Sequence, residues 1–535
     1  MVKRVAVIGA GASGLAAIKC CLDEGLEPTC FERSSDIGGL WQYTEEVEDD
    51  RPSIYRSVVT NGSKEMMTYS DFPIPDHFSN YLSHFKVIDY FRLYIDHFNI
   101  LKYIKFKTKV CTVRKCQDFS TTGQWVIVTE ADGIQESAIF DAVLVCTGHF
   151  TEPYLPMELF PGIDKFKGQR FHSRMYKTPV GFEGKRILVV GLGNSAADIA
   201  TELSYTADQV FVSTRRGVLV LSRIFGLGYP WDAIYITRIK RWLRNLLPFS
   251  LEMWMFEKSV NKWFDHAAFG LEIQKSLEWK EPIANEELPS RIACGTMMIK
   301  TSVKEFTETS VIFNDGTIEN IDVVIFATGY SISFPFCDES IIKVNNNQIC
   351  LYKNVFPPQL EKPTLAFIGF VMPLGSLIPN SELQARWATR VFKGLNRLPS
   401  SHEQLEEISK VKEILTKRFG KNRSASLLVD VIGYLDEIAS EIGVKPNISR
   451  LFLTDPKLAL RVLFGPCTPS QYRLTGPGKW DGARNTILKT WDRILKPTRT
   501  RVAKDVPQYS LMLIVFLSFI IVFAAVFMIR YGSDD

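Results

Sequence analysis

Residues 5–32 read VAVIGAGASGLAAIKCCLDEGLEPTCFE, and this stretch decides the fold of the chain. Its first four residues form a short apolar run, which is typical of a buried parallel strand. Gly9, Gly11 and Gly14 follow as GxGxxG, and a second strand at residues 28–31 ends at Glu32. In this pattern the glycines allow a tight turn, close approach of a pyrophosphate and close packing of the following helix, while the acid accepts hydrogen bonds from ribose hydroxyls. The stretch therefore predicts a dinucleotide-binding unit.

A second unit of the same kind begins near residue 185. An apolar strand at residues 187–190 is followed by GxGxxA, formed by Gly191, Gly193 and Ala196, and then by a helical pattern. The next strand, at residues 210–213, ends in Thr-Arg-Arg rather than in an acid. Because a guanidinium suits a 2′-phosphate, Arg215 predicts that this unit binds NADPH in preference to NADH.

Two further stretches indicate a membrane. Between residues 217 and 290, Trp231, Trp242, Trp254 and Trp263 are interleaved with basic residues such as Arg238, and this combination suits a membrane interface. An ordinary amphipathic helical subdomain is the alternative. Residues 511–529 carry no charge, and as a helix they would span about 28 Å, close to the thickness of a bilayer core. We predict a transmembrane helix there and, because the first strand begins by residue 5, no signal peptide.

The two nucleotide units end alike. Residues 140–148 read FDAVLVCTG and residues 322–330 read DVVIFATGY, so each unit is closed by a hydrophobic strand that ends in Thr-Gly. The first, acid-ended site suits FAD and the second, basic site suits NADPH. The predicted fold class is therefore α/β, with two Rossmann-like dinucleotide-binding domains, a helical insertion and a C-terminal transmembrane helix.

Length and composition narrow the class further. The chain has 535 residues, which is too long for one core, and 63 Lys and Arg against 59 Asp and Glu give a net charge of +4. This charge is too small to indicate a nucleic-acid partner. The ten cysteines show no dense disulfide spacing, so we expect reduced thiols in a protein that faces the cytosol. No metal site is predicted.

Two more motifs complete the pattern. Phe166, Gly168, His172 and Tyr176 stand as FxGxxxHxxxY, and residues 326–330 read FATGY. Together with GxGxxG, GxGxxA and the hydrophobic tail, these motifs make the chain resemble the vertebrate, microsomal flavin-containing monooxygenases, which are class B flavoprotein monooxygenases. His172 alone is equally typical of a core histidine with satisfied hydrogen bonds, and we assign it no chemical role.

The resemblance adds site residues to those that the glycine motifs and the phosphate argument indicate. FAD is expected at Gly9, Ala10, Gly11, Ala12, Ser13, Gly14, Glu32, Leu40, Trp41, Asn61 and Gly62. NADPH is expected at Thr60, Asn61, Gly191, Gly193, Ser195, Ala196, Ala197, Asp198 and Arg215. The family usually has glycine or threonine near the position of Ala196 and Ala197, a mild departure because only a small side chain is needed for close approach.

The resemblance also implies a reaction. In such enzymes NADPH reduces FAD, O2 as co-substrate converts the reduced flavin to a C4a-hydroperoxide, and the terminal oxygen passes to a soft nitrogen or sulfur nucleophile. Asn61 is the expected catalytic residue, since its amide can hydrogen-bond the peroxide or the nicotinamide without acting as an acid. Substrates are expected to be small lipophilic amines or sulfides, including xenobiotics and metabolites. Three alternatives remain: Baeyer–Villiger oxidation of ketones, an NADPH oxidase that mainly releases H2O2, and a redox-inert membrane scaffold.

The same patterns divide the chain into segments. The FAD-binding domain is predicted at residues 1–154 and 331–442, the NADPH-binding domain at 155–213 and 296–330, and the helical membrane-interface insertion, which also forms a substrate channel, at 214–295. A C-terminal membrane-proximal region at 443–510 precedes the transmembrane helix at 511–529. We expect localisation to the endoplasmic reticulum membrane, with a C-terminal tail anchor, a catalytic part facing the cytosol, contact with membrane lipid and a possible homo-oligomer.

Overall fold

The first sheet is built around the opening stretch of sequence. The computed structural model describes residues 2–273, 281–419 and 425–501. Five parallel strands form the first sheet, in the spatial order Leu365–Phe367, Ala142–Val145, Arg4–Ile8, Glu27–Phe31 and Ile104–Lys105. Val7, in the central strand, aligns with Leu144 on one side and Cys30 on the other. Because helices and loops cover both faces, the three strands Arg4–Ile8, Ala142–Val145 and Leu365–Phe367 are almost entirely apolar and buried rather than alternating.

The second sheet repeats this arrangement. Its five parallel strands follow the order Met297–Lys300, Gln209–Ser213, Arg186–Val190, Val323–Phe326 and Gln169–His172. In both sheets the strand before the glycine turn lies between the strand that follows the helix and the strand that ends in Thr-Gly. The predicted α/β class is therefore confirmed, and both sheets have the strand order that a Rossmann-like unit requires.

Small antiparallel sheets precede the closing strand of each unit. The first consists of Lys109–Lys115, Trp125–Ala131 and Ile134–Phe140, and the second of Val303–Phe306, Ser310–Phe313 and Ile318–Asn320. Five short strand pairs complete the described β-structure: Val220–Leu221 with Ile283–Ala284, Ile224–Phe225 with Tyr229–Pro230, Glu152–Pro153 with Tyr330–Ser331, Val344–Asn345 with Gln348–Ile349, and Met372–Pro373 with Leu428–Val429.

Helices pack on and between the sheets. In chain order they are Ala12–Asp23, His84–Phe98, Phe119–Thr122, Asn194–Leu203, Trp231–Tyr235, Arg238–Asn245, Phe249–Val260, Leu288–Ala293, Leu377–Phe392, Ser401–Phe419, Val431–Glu441, Ile448–Thr454, Pro456–Phe464, Ala483–Leu488 and Thr490–Leu495. The largest buried cluster surrounds Ala12–Asp23 and Leu377–Phe392, the helix that packs against it, and includes the fully buried Trp387. The first nucleotide unit, called the FAD-type unit below, therefore draws its core from both ends of the chain.

The region after residue 443 is tied into this first unit. Arg473 is 2% exposed, and its guanidinium lies 2.9 Å from Asp71 and 2.7 Å from Glu382. Its Nε also donates to the Ser70 hydroxyl at 2.6 Å. Since a buried arginine is stable only when its charge and its donors are matched, these contacts fix residues 469–480 against the first nucleotide unit.

The insertion combines buried and exposed aromatic residues. Trp231 is buried, and Nη1 of the buried Arg238 donates to both carboxylate oxygens of Asp436, at 2.8 and 2.7 Å. These two side chains therefore do not face a bilayer as the sequence suggested. Trp242, Trp254 and Trp263 are exposed. Of the four tryptophans, only these three remain available to the predicted interfacial surface.

Among residues 2–273, 281–419 and 425–501, no helix is both long and apolar enough to cross a membrane. The transmembrane helix predicted at 511–529 lies outside the described residues.

Candidate active site

The first glycine turn has the strain and the close contacts that its sequence predicts. Gly9 has φ +99°, and a Cβ there would lie 2.9 Å from the carbonyl oxygen of Cys146. A Cβ on Gly14 would lie 1.8 Å from the carbonyl oxygen of Gly9, closer than any side chain can approach. Glycine is therefore required at both positions, and the helix Ala12–Asp23 starts directly at the carboxyl edge of the sheet.

The start of this helix offers free donors. Within the described structure, no hydrogen-bond acceptor pairs with the backbone N–H of Ala12, Ser13 or Gly14. The N–H of Ala10, in contrast, donates to Glu32 Oε2 at 2.7 Å. An anion at this helix start would therefore meet the amides of the first turn rather than that of Ala10.

The carboxylate of Glu32 lies beside the same turn and accepts three hydrogen bonds. Its Oε1 accepts from the Ser34 backbone N–H at 2.9 Å and from the Ser34 hydroxyl at 2.7 Å. With the bond from Ala10, these contacts use three of about four acceptor positions on the carboxylate. The remaining position is sufficient for a ribose hydroxyl, so the observed contacts are compatible with the predicted role.

A second glycine pair lies against the first turn. Gly38 and Gly39 have φ of +113° and +54°, and a Cβ on Gly39 would lie 3.1 Å from the Cα of Gly11. Leu40 and Trp41 follow in a single 3₁₀ turn, and Trp41 packs on the large cluster that surrounds Ala12–Asp23. The backbones of the two glycine loops are therefore in contact. Because neither loop carries a side chain at these glycines, a flat or extended ligand can approach the backbone closely.

The carboxyl edge of the first sheet also carries polar atoms without protein partners. Thr147 Oγ and both ring nitrogens of His149 are buried and have no hydrogen-bond partner among the described residues. Burial lowers the pKa of His149 to about 4, so the ring is neutral at physiological pH. Since buried polar atoms are rarely left unbonded, this edge fits a polar ligand such as the pyrophosphate-bearing part of FAD.

Asn61 lies in a loop that an arginine from the insertion holds in place. Arg223 Nη2 donates to Asn61 Oδ1 at 3.0 Å, and its Nε donates to the Thr60 carbonyl at 3.3 Å. The third contact of this guanidinium is an ion pair with Glu286 at 2.9 Å. Arg223 is buried, and Tyr81 donates to its backbone carbonyl. The orientation of the Asn61 amide is therefore set by Arg223.

An aspartate from the same insertion supports the next residues of this loop. Asp232 is fully buried and accepts from the Ser63 backbone N–H at 2.7 Å, and a Cβ on Gly62 would lie 3.7 Å from its Oδ2. No described lysine, arginine or histidine forms an ion pair with this carboxylate. Because burial disfavours the charged form, the pKa of Asp232 rises to about 6.

The second glycine turn repeats the geometry of the first. Gly191 has φ +104°, and a Cβ there would lie 2.6 Å from the carbonyl oxygen of Ala327. In the described structure the backbone N–H groups of Asn194, Ser195 and Ala196 have no acceptor. The methyl groups of Ala196 and Ala197 are buried in the core of this unit, so only their backbone atoms can reach a nucleotide.

Asp198 connects the second turn to the Asn61 loop. Its Oδ2 accepts from the Tyr55 hydroxyl at 2.6 Å and its Oδ1 from Asn285 Nδ2 at 2.9 Å. Asn285 precedes Glu286, the partner of Arg223. Burial raises the pKa of Asp198 despite these donors. The residue therefore links the helix Asn194–Leu203 to Asn61 through Asn285, Glu286 and Arg223.

Arg215 and His172, which the sequence also singled out, lie in contrasting environments. Arg215 is exposed and lies just beyond the strand Gln209–Ser213. In a dinucleotide-binding fold this is the position from which a side chain contacts the 2′-phosphate. His172 is buried, with Nε2 3.0 Å from the Gly329 carbonyl and Nδ1 accepting from the Arg174 backbone N–H at 3.1 Å. It is therefore a core histidine with both ring nitrogens in hydrogen-bond contacts.

Sequence reasoning did not identify Arg223, Asp232, Asn285 or Glu286. They lie in the insertion, where no short motif marks them. A single polar residue beside an apolar run, such as Asp232 after Trp231, was the only available signal. Among the described residues no group of His, Cys, Asp and Glu could hold a metal ion.

Two parallel sheets, each with a glycine turn and a donor-rich helix start, have the arrangement of two dinucleotide-binding units. Residues 2–531 match the flavin-binding monooxygenase-like family. The chain belongs to this family, and flavin and NADPH use follow from membership.

Named relatives agree with this assignment. The chain is 55% identical over 511 residues to flavin-containing monooxygenase 2 of Homo sapiens, covering 95% of this chain and 96% of the relative. It is 53% identical over 530 residues to flavin-containing monooxygenase 1 of Sus scrofa, covering 99% and 100%. It is 55% identical over 506 residues to a protein of Macaca mulatta named dimethylaniline monooxygenase [N-oxide-forming] 2, covering 94% and 95%.

Solved structures show a similar fold. The S-allyl-L-cysteine S-oxygenase of Allium sativum matches with a TM-score of 0.65 and 26% identity, covering 92% of this chain and 99% of that chain. A cyclohexanone-bound cyclohexanone monooxygenase matches with a TM-score of 0.60 and 16% identity, covering 82% and 97%, and at that identity only the fold is comparable.

Proposed function

We propose that this chain uses NADPH, bound FAD and O2 to oxygenate soft nitrogen and sulfur atoms of small lipophilic molecules. The observation that carries this proposal is the Asn61 amide, which Arg223 holds in place. Arg223 pairs with Glu286, and the neighbouring Asn285 donates to Asp198 on the helix of the second nucleotide unit, called the NADPH-type unit below. The names of the relatives support the same chemistry, since one relative forms N-oxides and the garlic protein oxygenates sulfur.

The protein residues in this proposal bind and orient, and FAD, when bound, supplies the electron transfer from NADPH and the activation of O2. The amides of Ala12, Ser13 and Gly14 would hold the FAD pyrophosphate, and Glu32 would accept from its ribose. The amides of Asn194, Ser195 and Ala196 would hold the pyrophosphate of NADPH, with Arg215 on the 2′-phosphate.

Asn61 would act as a hydrogen-bonding group of fixed direction. Its Oδ1 is occupied by Arg223, and Nδ2 has no acceptor among the described residues. The amide therefore offers N–H donors toward the site, and it neither gains nor loses a proton near neutral pH. An amide N–H that donates a hydrogen bond but keeps its proton would position the reacting oxygen without promoting release of that oxygen as H2O2.

Membrane association is part of the proposal. The exposed faces of Trp242, Trp254 and Trp263, together with the exposed Leu246, would lie at the lipid interface. With a tail anchor at 511–529, this surface would hold the enzyme on the cytosolic side of the endoplasmic reticulum membrane, where lipophilic amines and sulfides partition.

Product analysis tests the proposal. The FAD-loaded enzyme is supplied with NADPH, O2 and, in separate reactions, a tertiary amine, a thioether and a ketone, and H2O2 is titrated in parallel. The proposal expects N-oxide and sulfoxide to account for most of the NADPH consumed. Ester as the main product would indicate a Baeyer–Villiger enzyme, H2O2 equal to NADPH consumed would indicate an oxidase, and no NADPH consumption would indicate a redox-inert chain.

A further inference from the structure

A charged cavity lies at the opposite end of the FAD-type helix from the glycine turn. Its volume is about 300 Å³. It is bounded by the last turns of Ala12–Asp23, by the helix Leu377–Phe392, and by residues 473–480. Because the glycine turn precedes this helix and the cavity opens at its carboxyl end, the cavity is separate from the dinucleotide site.

Most of the charges that line this cavity are matched. Lys19 lies 2.6 Å from both Asp23 and Asp71. Arg390 lies 3.1 Å from Glu24. Arg473 is held by Asp71 and by Glu382. These three cations are neutralised by neighbouring carboxylates.

Arg386 is the exception. It is 6% exposed, and its guanidinium donates only to two backbone carbonyls, those of Tyr472 at 3.1 Å and Pro477 at 3.0 Å. No carboxylate of the described residues lies within 4 Å of it. Burial and the nearby charge of Arg473 lower the pKa of Arg386 to about 10, against the longer-range attraction of Glu382 and Asp71, so the guanidinium stays protonated at neutral pH. A buried cation of this kind is costly unless an anion compensates it.

A second cation stands at the mouth of the same cavity. Lys479 is exposed, and its nearest carboxylate is the fully exposed Asp481 at 3.8 Å, a pair that contributes little attraction in water. Among the described residues, therefore, neither Arg386 inside the cavity nor Lys479 at its mouth has a carboxylate at hydrogen-bond distance. The half-buried indole of Trp480 forms part of the wall beside them.

We propose that this cavity binds a phosphate group, between Arg386 at its base and Lys479 at its mouth, either as free phosphate or as the terminal group of a small organic phosphate. The residues that line the cavity include five cations and three carboxylates, an excess of two positive charges that a dianion matches. The Arg386 guanidinium can donate charge-assisted hydrogen bonds to phosphate oxygens. Bound there, the phosphate would join residues 473–480 to both helices of the FAD-type unit. This site is independent of the oxygenation chemistry.

Calorimetric titration of the FAD-loaded enzyme tests this site. NADP+ is kept saturating so that the nucleotide site cannot take up the probe, and chloride replaces the probe at equal ionic strength in the blank. Inorganic phosphate and glycerol 3-phosphate are the two probes. Saturable binding of both at similar strength indicates free phosphate as the ligand, and clearly tighter binding of glycerol 3-phosphate indicates an organic phosphate.

Variants locate the site. Lys479→Glu should weaken phosphate binding by about tenfold, the loss expected for one charge-assisted contact, while Lys489→Glu, on an exposed helix end outside the cavity, should bind as the parent does. Arg386→Gln should abolish binding, and the visible spectrum of its FAD reports whether it has folded. No saturable heat with either probe, or equal binding by Lys479→Glu and the parent, would overturn the proposal.

Discussion

Arg223 and Asn61 are 162 positions apart in the chain, yet Nη2 of the arginine donates to Oδ1 of the amide at 3.0 Å. The same guanidinium pairs with Glu286, next to the Asn285 that bonds Asp198 on the helix of the NADPH-type unit. The insertion therefore supplies the side chain that orients the predicted catalytic amide.

The first prediction concerns Arg223. In Arg223→Gln the Asn61 amide loses its orienting donor, so the fraction of NADPH electrons released as H2O2 should rise several-fold while bound FAD is retained. Glu286→Gln should give a smaller effect of the same kind, because Arg223 keeps its bonds to Thr60 and Asn61. The measurement is H2O2 formed per NADPH consumed, with the exposed Arg114→Gln as control. Unchanged coupling in Arg223→Gln would show that the contact is only structural.

The second prediction concerns Asn61 itself. Asn61→Asp can keep the contact with Arg223 as an ion pair, but it replaces the N–H donors by an acceptor. Asn61→Ser is too short to reach both Arg223 and a ligand. Both variants should remain yellow with FAD and consume NADPH, with the electrons diverted to H2O2 instead of product. If Asn61→Asp forms N-oxide at the parental yield, the amide has no role in oxygen transfer.

The third prediction concerns the choice of reductant. Loss of an arginine–phosphate contact costs about 1.5–3 kcal/mol, so Arg215→Ala should raise the KM for NADPH by about tenfold or more. The KM for NADH should stay nearly constant, since NADH has no 2′-phosphate. Lys304→Ala removes an exposed charge elsewhere in the same unit and should change neither value. An equal rise in the KM for both nucleotides would show that Arg215 does not contact the 2′-phosphate.

The fourth prediction concerns Asp232 and pH. Its pKa is about 6 in the folded chain and about 3.9 when unfolded, so the folded state binds the extra proton between these values. The stabilisation is therefore present below the unfolded pKa and is lost as the pH rises toward 6. Asp232→Asn cannot titrate, so it should gain roughly 2 kcal/mol of unfolding free energy relative to the parent between about pH 4.5 and about pH 7.5.

Denaturant unfolding of the FAD-loaded protein at the two pH values measures this difference. Loss of one acceptor for the Ser63 or Ala233 N–H lowers the stability of Asp232→Asn at both pH values equally and cancels in the comparison. A difference between variant and parent that stays constant with pH would show that Asp232 is ionised at all these pH values or carries no burial cost.

The fifth prediction concerns the membrane. A chain that lacks residues 511–535 should bind lipid vesicles more weakly but should not become fully soluble, and it should retain FAD. Adding Trp242→Ser and Trp254→Ser should remove most of the remaining binding, because both indoles are exposed on the insertion. Ile134→Ser, an exposed apolar residue on a small sheet, is the matched control. Complete release by the deletion alone would show that the insertion has no interfacial role.

Local sequence was sufficient for both nucleotide units. The glycine motifs, the apolar runs before them and the Thr-Gly strands after them predicted both parallel sheets, because turns and strands of this kind depend on contacts over a few residues. Gly9 and Gly191 show the reason, since in each a Cβ would approach a backbone carbonyl within 3 Å. Only glycine is possible there, and the requirement is visible in the sequence.

Tertiary structure alone decided how the site is held together. The bonds of Arg223 to Asn61 and of Asp232 to Ser63 join residues more than 160 positions apart, and no motif announces them. The same applies to Trp231 and Arg238, which looked interfacial in sequence but are buried. It also applies to Arg386, whose position beside a cavity without a carboxylate in direct contact appears only when residues 19–24, 386–390 and 473–480 meet. Backbone strain is imposed locally, whereas burial and charge compensation depend on which distant segments become neighbours. The sequence by itself therefore determined the two nucleotide units, and only the tertiary structure decided which side chains surround and support them.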